Sequence, residues 1–278
     1  MTSIHVPGRI VVPVDPSREP SSAVSVVGTL ARQAGLAVEF VATRPPGVPQ
    51  ANVDAYLFQR CREAEEAGAS DVSWTALDAS DPADGICDVL TDDGVALVCL
   101  ATRARGVFGE FVLGSVAEAV VRRSPVPVVL VGPEVEATPE RYREFFVALD
   151  GSELAEHAAE VAAAVAQRTG SELFLLEVLD EVPPPDVAET AYLARVASTL
   201  EPKPGRYDAV HGRRPGEAIL AMAGESPDVM VVMGTHGRSG LSRLVMGSVA
   251  HDVVHRARCP VVVVPQSAEK WEWPSPLV

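Results

Sequence analysis

The chain has 278 residues, a formal net charge of −15 and 47% hydrophobic residues. This length suffices for two domains of ordinary size, and the composition is typical of a folded globular protein. The acidic balance argues against a nucleic-acid partner, because proteins that bind the phosphate backbone usually carry a basic face. The two lysines, Lys203 and Lys270, precede proline and tryptophan. Neither therefore belongs to the Gly-Lys-Ser/Thr sequence of a P-loop.

The N-terminal sequence MTSIHVPGRIVVPVD lacks the charged segment and the long apolar core of a signal peptide. Every apolar run is shorter than the ~18 residues needed to cross a bilayer. We therefore expect a cytoplasmic protein without a membrane partner. The four cysteines form no C-x-x-C pair, which argues against both a zinc knuckle and a disulfide framework.

Short apolar runs alternate with helical patterns along the first half, which predicts a parallel sheet flanked by helices. The helices are bounded by glycine and proline, the usual punctuation of helix ends. The predicted strands cover residues 10–14, 36–42, 72–77, 95–100 and 127–131. The predicted helices cover residues 21–34, 53–67 and 82–91, with a fourth that ends at 123.

The second half repeats this order. Its predicted strands cover residues 145–149, 172–179, 207–211, 229–233 and 260–264. Its predicted helices cover 152–168 and 187–199, followed by one opened by Pro215 and one opened by Gly247 and Ser248. In the last helix we expect Ser248 to be the N-cap, because serine caps helices well.

Two segments of equal length, 101–115 and 234–248, follow the fourth strand of each half and end in Leu/Met-Gly-Ser. Asp15 and Asp150 likewise end the first strand of each half. A repeat of about 135 residues is too long for a solenoid unit and indicates domain duplication. The predicted organisation is a domain at 1–133, a linker at 134–140, a second domain at 141–266 and a tail at 267–278. We expect the tail either to cross the partner domain or to be disordered.

The segment after residues 229–233 is rich in glycine and leads into a helix. Gly234 and Gly237 lack a β-carbon, so their backbone N–H groups can approach a ligand closely. Gly247 and Ser248 open the following helix, and a helix N-terminus is a ready site for phosphate. His236, Arg238 and Arg243 add hydrogen-bond donors to the same loop. The alternative is a glycine-rich turn that binds nothing.

Asp150 ends the first strand of the second half, and the glycine loop follows the fourth. Ligands of open parallel sheets bind at the carboxyl ends of strands, where the strand order reverses, so both features are expected at one site. A carboxylate there can accept hydrogen bonds from ribose or adenine, or bind the Mg²⁺ that accompanies phosphates. Alternatively, Asp150 caps the following helix, since Asp-Gly-Ser is also a turn sequence.

The spacing Gly234-x2-Gly237-x9-Gly247-Ser248, followed by a strand that closes the domain, resembles the nucleotide-binding signature of ATP-binding universal stress proteins. The resemblance covers nearly the whole chain as two tandem copies. It implies an α/β fold of two doubly wound domains, flavodoxin-like or adenine nucleotide α-hydrolase-like, each with a five-stranded parallel sheet. The residues expected at the ATP site are Asp150, Val178, Met233, Gly234, His236, Gly237, Arg238, Gly247, Ser248 and Val249.

Two of these residues also have ordinary structural interpretations. Met233 ends an apolar strand, and an apolar residue there belongs to the core more often than it contacts a ligand. His236 is equally consistent with an exposed loop residue. His251 and His255 stand four residues apart on the last helix, but without a third ligand they do not define a metal site.

The first copy departs from the family pattern, because Ala101 and Ala104 replace the first two glycines while Gly114 and Ser115 remain. An added methyl group at such positions costs about 1 kcal/mol or more. We therefore predict one competent site, in the second half.

The resemblance implies an ATP-binding stress regulator, with or without Mg²⁺, that acts on an unknown regulatory protein. A slow Mg-dependent ATPase and a non-binding scaffold of the same fold are the alternatives, and no motif of a known catalytic site is present. The family associates through its last strands. We therefore expect residues 127–131 to pair with 260–264 as an internal pseudo-dimer, or the chain to form a homo-oligomer.

Overall fold

The computed structural model describes residues 8–17, 22–45, 47–102, 113–179, 188–237 and 246–274. Within these ranges strands and helices alternate along both halves of the chain. The first half contains β1 (Arg9–Pro13), α1 (Ala23–Ala34), β2 (Ala37–Thr43), α2 (Gln50–Glu66), β3 (Val72–Leu77), α3 (Pro82–Val89), β4 (Val95–Ala101), α4 (Ser115–Arg123) and β5 (Val128–Val131).

The second half has the same order of elements. It contains β6 (Glu144–Leu149), α5 (Glu153–Thr169), β7 (Glu172–Leu179), α6 (Ala191–Thr199), β8 (Arg206–His211), α7 (Pro215–Ala223), β9 (Val229–Gly234), α8 (Ser248–Arg256) and β10 (Val261–Val264). Helix α6 starts at Ala191, later than the predicted 187. Position 187 itself lies outside the described ranges, and residues 188–190 are not helical.

The ten strands form one sheet in the order β3-β2-β1-β4-β5-β10-β9-β6-β7-β8. Each half contributes five strands, and the strand pairs within a half are parallel. The prediction of two doubly wound α/β domains is therefore confirmed. The halves join where β5 and β10 pair in antiparallel fashion, with Val261 opposite Leu130 and Val263 opposite Val128. The expected pairing of the last strands is thus present within one chain.

Hydrophobic side chains fill a layer on each face of the sheet. Helices α1, α2, α5 and α6 cover one layer, and α3, α4, α7 and α8 cover the other. Central strands are buried on both faces, as their unbroken apolar sequences predict. Helices α1 and α5 both end at a left-handed glycine, Gly35 at φ 65° and Gly170 at φ 64°. Glycine adopts this conformation readily, so both helices stop at equivalent places.

The segment that follows β10 crosses over the first half, which is one of the two alternatives considered for the tail. Ser267 Oγ donates a hydrogen bond to the carbonyl oxygen of Ser124 at 2.6 Å. Trp271 Nε1 donates to the carbonyl oxygen of Ala96 at 2.9 Å, and its ring packs against both hydrophobic layers. Ser267 and Trp271 therefore provide a further connection between the two halves. Among the described helices, none combines the length and the apolar character required to cross a membrane.

Candidate functional site

A cavity of about 280 Å³ opens at the carboxyl edge of the second-half strands. It lies where β6 and β9 are neighbours and the strand order reverses, which is the expected position for a ligand in this fold. Typical small-molecule sites occupy ~300–1,000 Å³, so the volume suits a compact ligand or part of a longer one.

All predicted site residues that the structure describes line this cavity. They are Asp150, Val178, Met233, Gly234, His236, Gly237, Gly247, Ser248 and Val249. Arg238 lies outside the described residues, as do Gly240 and Arg243 of the same loop. The fold thus brings together side chains from the ends of three strands and the start of one helix.

Asp150 follows β6 and is held by the turn into α5. Its Oδ1 accepts hydrogen bonds from the Ser152 N–H at 3.1 Å and from the Ser152 hydroxyl at 2.7 Å. The Ser152 hydroxyl oxygen in turn accepts the Ala155 N–H, so Ser152 is the N-cap of α5. Asp150 therefore stabilises the turn, but the alternative prediction that it caps the helix is wrong, because Ser152 is the cap.

The second oxygen of Asp150 lies against the glycine loop. A β-carbon built on Gly237 would overlap Asp150 Oδ2, so only glycine brings this backbone so close to the carboxylate. Gly234 is also tightly packed, since a β-carbon there would lie 3.1 Å from Leu154 Cγ. Gly234, Gly237 and Gly247 all lack a positive φ. Close approach, and not a left-handed backbone, is therefore what requires glycine at Gly237.

The N-terminus of α8 forms another wall of the cavity. The expectation that Ser248 is the N-cap is wrong, because Gly247 occupies that position in an extended conformation (φ −65°, ψ 159°) and Ser248 is already helical. The Gly247 N–H donates to the carbonyl oxygen of Thr235 at 2.7 Å. Glycine has no side chain to accept the N–H groups of the first turn. Ser248, Val249 and Ala250 of that turn line the cavity, where such N–H groups favour an anion.

The remaining lining is largely apolar. Leu176, Val178, Ile219 and Met233 line the cavity and also belong to the layer covered by α7 and α8. Met233 therefore fits both of its interpretations, as a core residue and as a cavity wall. The arrangement offers an apolar surface for a flat ring beside N–H donors and one carboxylate.

Sequence reasoning missed several lining residues, among them Pro215, Ile219 and Thr235. Pro215 and Ile219 belong to α7, and their position over the cavity depends on how that helix packs. Thr235 lies between two residues that were predicted, so the glycine-loop motif itself gave the signal. Its Oγ1 lies 3.1 Å from His236 Nδ1 and fixes one side of that ring.

Acidic groups lie near the turn that holds Asp150. Burial raises the pKa of Tyr192 to about 12, and the nearby carboxylates of Glu156, Glu177 and Asp150 add to this rise. Glu156 is paired with Arg195, whose Nη2 lies 2.7 Å from Glu156 Oε1. In the described part of the chain, no three His, Cys, Asp or Glu side chains are grouped as a metal site would require.

The first half has the same framework around its carboxyl edge. Asp15 Oδ1 accepts hydrogen bonds from the Ser17 N–H at 3.0 Å and the Ser17 hydroxyl at 2.6 Å, as Asp150 does from Ser152. Ala101 pairs with Val131 in the same way that Gly234 pairs with Val264. Ala104, the second of the two substitutions expected to weaken binding in this half, lies outside the described residues, so the single competent site stays a prediction.

The fold and the cavity define a tandem doubly wound α/β protein whose second half has an anion-compatible, partly apolar pocket at a switch point. The model of the universal stress protein family matches residues 7–132 and 141–265. These two regions include most of the chain, which therefore belongs to the universal stress protein family.

Individual relatives agree with this assignment. A universal stress protein of Mycobacterium tuberculosis is 31% identical over 188 residues, and the match covers 62% of each chain. The chain thus spans about 62% of the length of the curated relatives it matches first. A universal stress protein of Archaeoglobus fulgidus has the same fold, with a TM-score of 0.68, 22% identity and coverage of 93% of this chain and 98% of its own.

Some structural neighbours hold adenine nucleotides. One is a universal stress protein from Archaeoglobus fulgidus in complex with dAMP, which is 22% identical and covers 45% of this chain and 98% of its own. Its TM-score is 0.37, so the bound nucleotide is a property of that protein alone.

Proposed function

We propose that the second half binds ATP in the cavity described above and that nucleotide occupancy regulates a stress response. The observation that carries the proposal is the position of Gly237 against the Asp150 carboxylate. Both residues line the same cavity as the N-terminus of α8, whose first turn has no side-chain cap. An anion site, a hydrogen-bonding carboxylate and an apolar wall then lie within one cavity.

Each part of ATP has a suitable surface there. The phosphates would accept hydrogen bonds from N–H groups of Gly237 and of the first turn of α8, where the helix dipole also favours negative charge. Asp150 would accept hydrogen bonds from ribose hydroxyls or the adenine amine. Adenine would pack against the apolar side chains, with Val178 offering backbone groups at its edge.

A slow Mg-dependent ATPase at the same site is the second candidate. Asp150 favours it, because Mg²⁺ in nucleotide sites is commonly held by one or two carboxylates together with the phosphates. We also propose that the protein acts in the cytoplasm on a regulatory protein, as domains 1–133 and 141–266 joined by the linker 134–140, and that it forms homo-oligomers.

Calorimetric titration of the full chain with ATP tests the proposal, and mass spectrometry of any ligand released from the purified protein identifies what it carries. We expect one ATP per chain and no turnover, followed as ADP release with and without Mg²⁺. Steady ADP release that depends on Mg²⁺ would favour the ATPase. If none of ATP, ADP, AMP and cyclic AMP binds, the proposal is wrong and the alternative of a non-binding scaffold is favoured.

A further inference from the structure

Strand β3 forms one outer edge of the ten-stranded sheet. The carbonyl oxygen of Asp71 accepts the Val38 N–H at 2.8 Å on the side of β2. Backbone hydrogen bonds alternate along a parallel strand, so Val72, Trp74 and Ala76 direct their N–H and C=O groups away from β2. The side chains of Ser73, Trp74 and Thr75 are exposed. This edge therefore presents a row of backbone donors and acceptors.

The sequence of β3, VSWTAL, contains neither a charged residue nor a proline. Proteins normally protect edge strands with such residues, because an open edge is a template for another strand. The opposite edge, β8, is protected in this way, since Arg206, Asp208 and His211 are charged or ionisable and exposed. The two edges are equivalent elements of the duplicated fold, yet of these two strands β3 lacks the charged residues that protect β8.

An aromatic surface adjoins the open edge. Trp74 is 38% exposed, and Phe58 of α2 is 60% exposed. Cys61 Sγ donates to the carbonyl oxygen of Ser73 at 3.6 Å, which brings this part of α2 against β3. Phe58 lies one turn before Cys61, so the two aromatic rings belong to the same region of the surface. A partner strand would gain apolar contact as well as backbone hydrogen bonds.

Charge decides what kind of strand fits. Asp71 and Asp78 are exposed and stand immediately before and after β3. If two copies paired antiparallel through β3, Asp71 of each would approach Asp78 of the other at both ends, and both chains carry a net charge of −15. A second copy is therefore disfavoured. A strand with cationic ends would instead face a carboxylate at each end.

We propose that the β3 edge binds an extended segment of another protein, with a β-branched or apolar centre and arginine or lysine at both ends. The segment adds to the sheet as an eleventh strand, next to Trp74 and Phe58. Its main-chain hydrogen bonds supply affinity, and Asp71 and Asp78 select the basic ends. This interaction surface lies in the first half and is independent of the proposed nucleotide site.

Fluorescence anisotropy with the full-length protein tests the proposal. The probe is a fluorescein-labelled peptide of alternating valine and threonine with two arginines at each end, compared with the same peptide flanked by glutamates. We expect binding of the arginine peptide alone. Trp74→Lys should weaken it about tenfold or more, because a lysine protects the edge and removes the aromatic contact. Tyr207→Lys on β8 is the matched control and should leave the affinity unchanged.

A double variant, Asp71→Asn with Asp78→Asn, should weaken the arginine peptide and reduce the salt dependence of its binding. Thermal melting of each variant verifies that it is folded, and Thr75→Lys replaces Trp74→Lys if that variant melts early. Equal affinity for both peptides, or equal losses in the Trp74 and Tyr207 variants, would overturn the proposal. So would self-association in light scattering that Trp74→Lys abolishes, because the edge would then be occupied by a second copy.

Discussion

Replacing Gly237 with alanine perturbs the candidate site at a single point. The new β-carbon would overlap Asp150 Oδ2, and the carboxylate cannot simply rotate away because Ser152 holds its Oδ1 with two hydrogen bonds. Relief of the overlap therefore sacrifices hydrogen bonds to a charged group or moves the loop off the carboxylate. Either response would remove a hydrogen bond that Asp150 or the loop would make to ATP. Hydrogen bonds to charged groups contribute about 1.5–3 kcal/mol, so we expect ATP affinity to fall about 10- to 150-fold.

Calorimetric titration with ATP measures this loss, and Gly205→Ala is the control. A β-carbon on Gly205 would lie 3.6 Å from Glu172 Oε2, which is an ordinary contact, and Gly205 lies far along the chain from the loop. Urea unfolding verifies that both variants are folded. If Gly237→Ala binds ATP within about twofold of the wild type, the reasoning from close approach is refuted. If the wild type binds two ATP per chain and Gly237→Ala binds one, the remaining site lies in the first half.

Three further predictions concern the stability of the whole chain. Gly132→Ala should lower the free energy of unfolding by about 1–3 kcal/mol, because its β-carbon would lie 2.7 Å from the Val254 carbonyl oxygen across the junction. Trp271→Ala should cost about 2–4 kcal/mol, since it removes a ring packed on both layers and a hydrogen bond to Ala96. Burial raises the pKa of Cys61 from 9.0 to about 11, so the stability that its protonated form contributes should be lost as pH rises from about 9 to 11.

Urea titrations measure all three effects. Gly205→Ala controls for the first, and Trp74→Ala, which removes a partly exposed ring, controls for the second with an expected smaller loss. For the third, Cys61→Ala should flatten the alkaline limb of the stability profile. The folded thiol holds its proton more tightly than the unfolded one, so the contribution is complete below about pH 9. An unchanged free energy of unfolding for Trp271→Ala would mean that the contacts of Trp271 with the first half do not stabilise the chain.

The order of strands and helices was predictable because short apolar runs, bounded by glycine and proline, alternate with longer helical patterns. β3 and β7 were placed with their observed bounds, 72–77 and 172–179. Pairing of the last strands followed from the resemblance to the family and from the need to cover two β-branched edges. The start of α6 was missed because helical periodicity at 187–190 does not reveal where packing begins to support a helix.

The candidate site was predictable where it depends on local motif. Asp150 and the glycines lie at strand ends, and the parallel topology brings strand ends together without further information. Gly247, not Ser248, caps α8 because the cap depends on backbone dihedral angles that residue preference does not determine. Ile219 was not predictable, since its place over the cavity depends on the angle at which α7 packs on the sheet.

The antiparallel pairing of β5 and β10 determines which edge of the sheet carries the ligand-binding strand ends of each half. Strands of one half run opposite to those of the other, so their carboxyl ends emerge on opposite sides. If nucleotide enters one half alone, its arrival alters only one of these two sides. A symmetric dimer of single domains would have the same liganded surface twice. In this chain, by contrast, the two edges of the sheet would differ, one with nucleotide and one without.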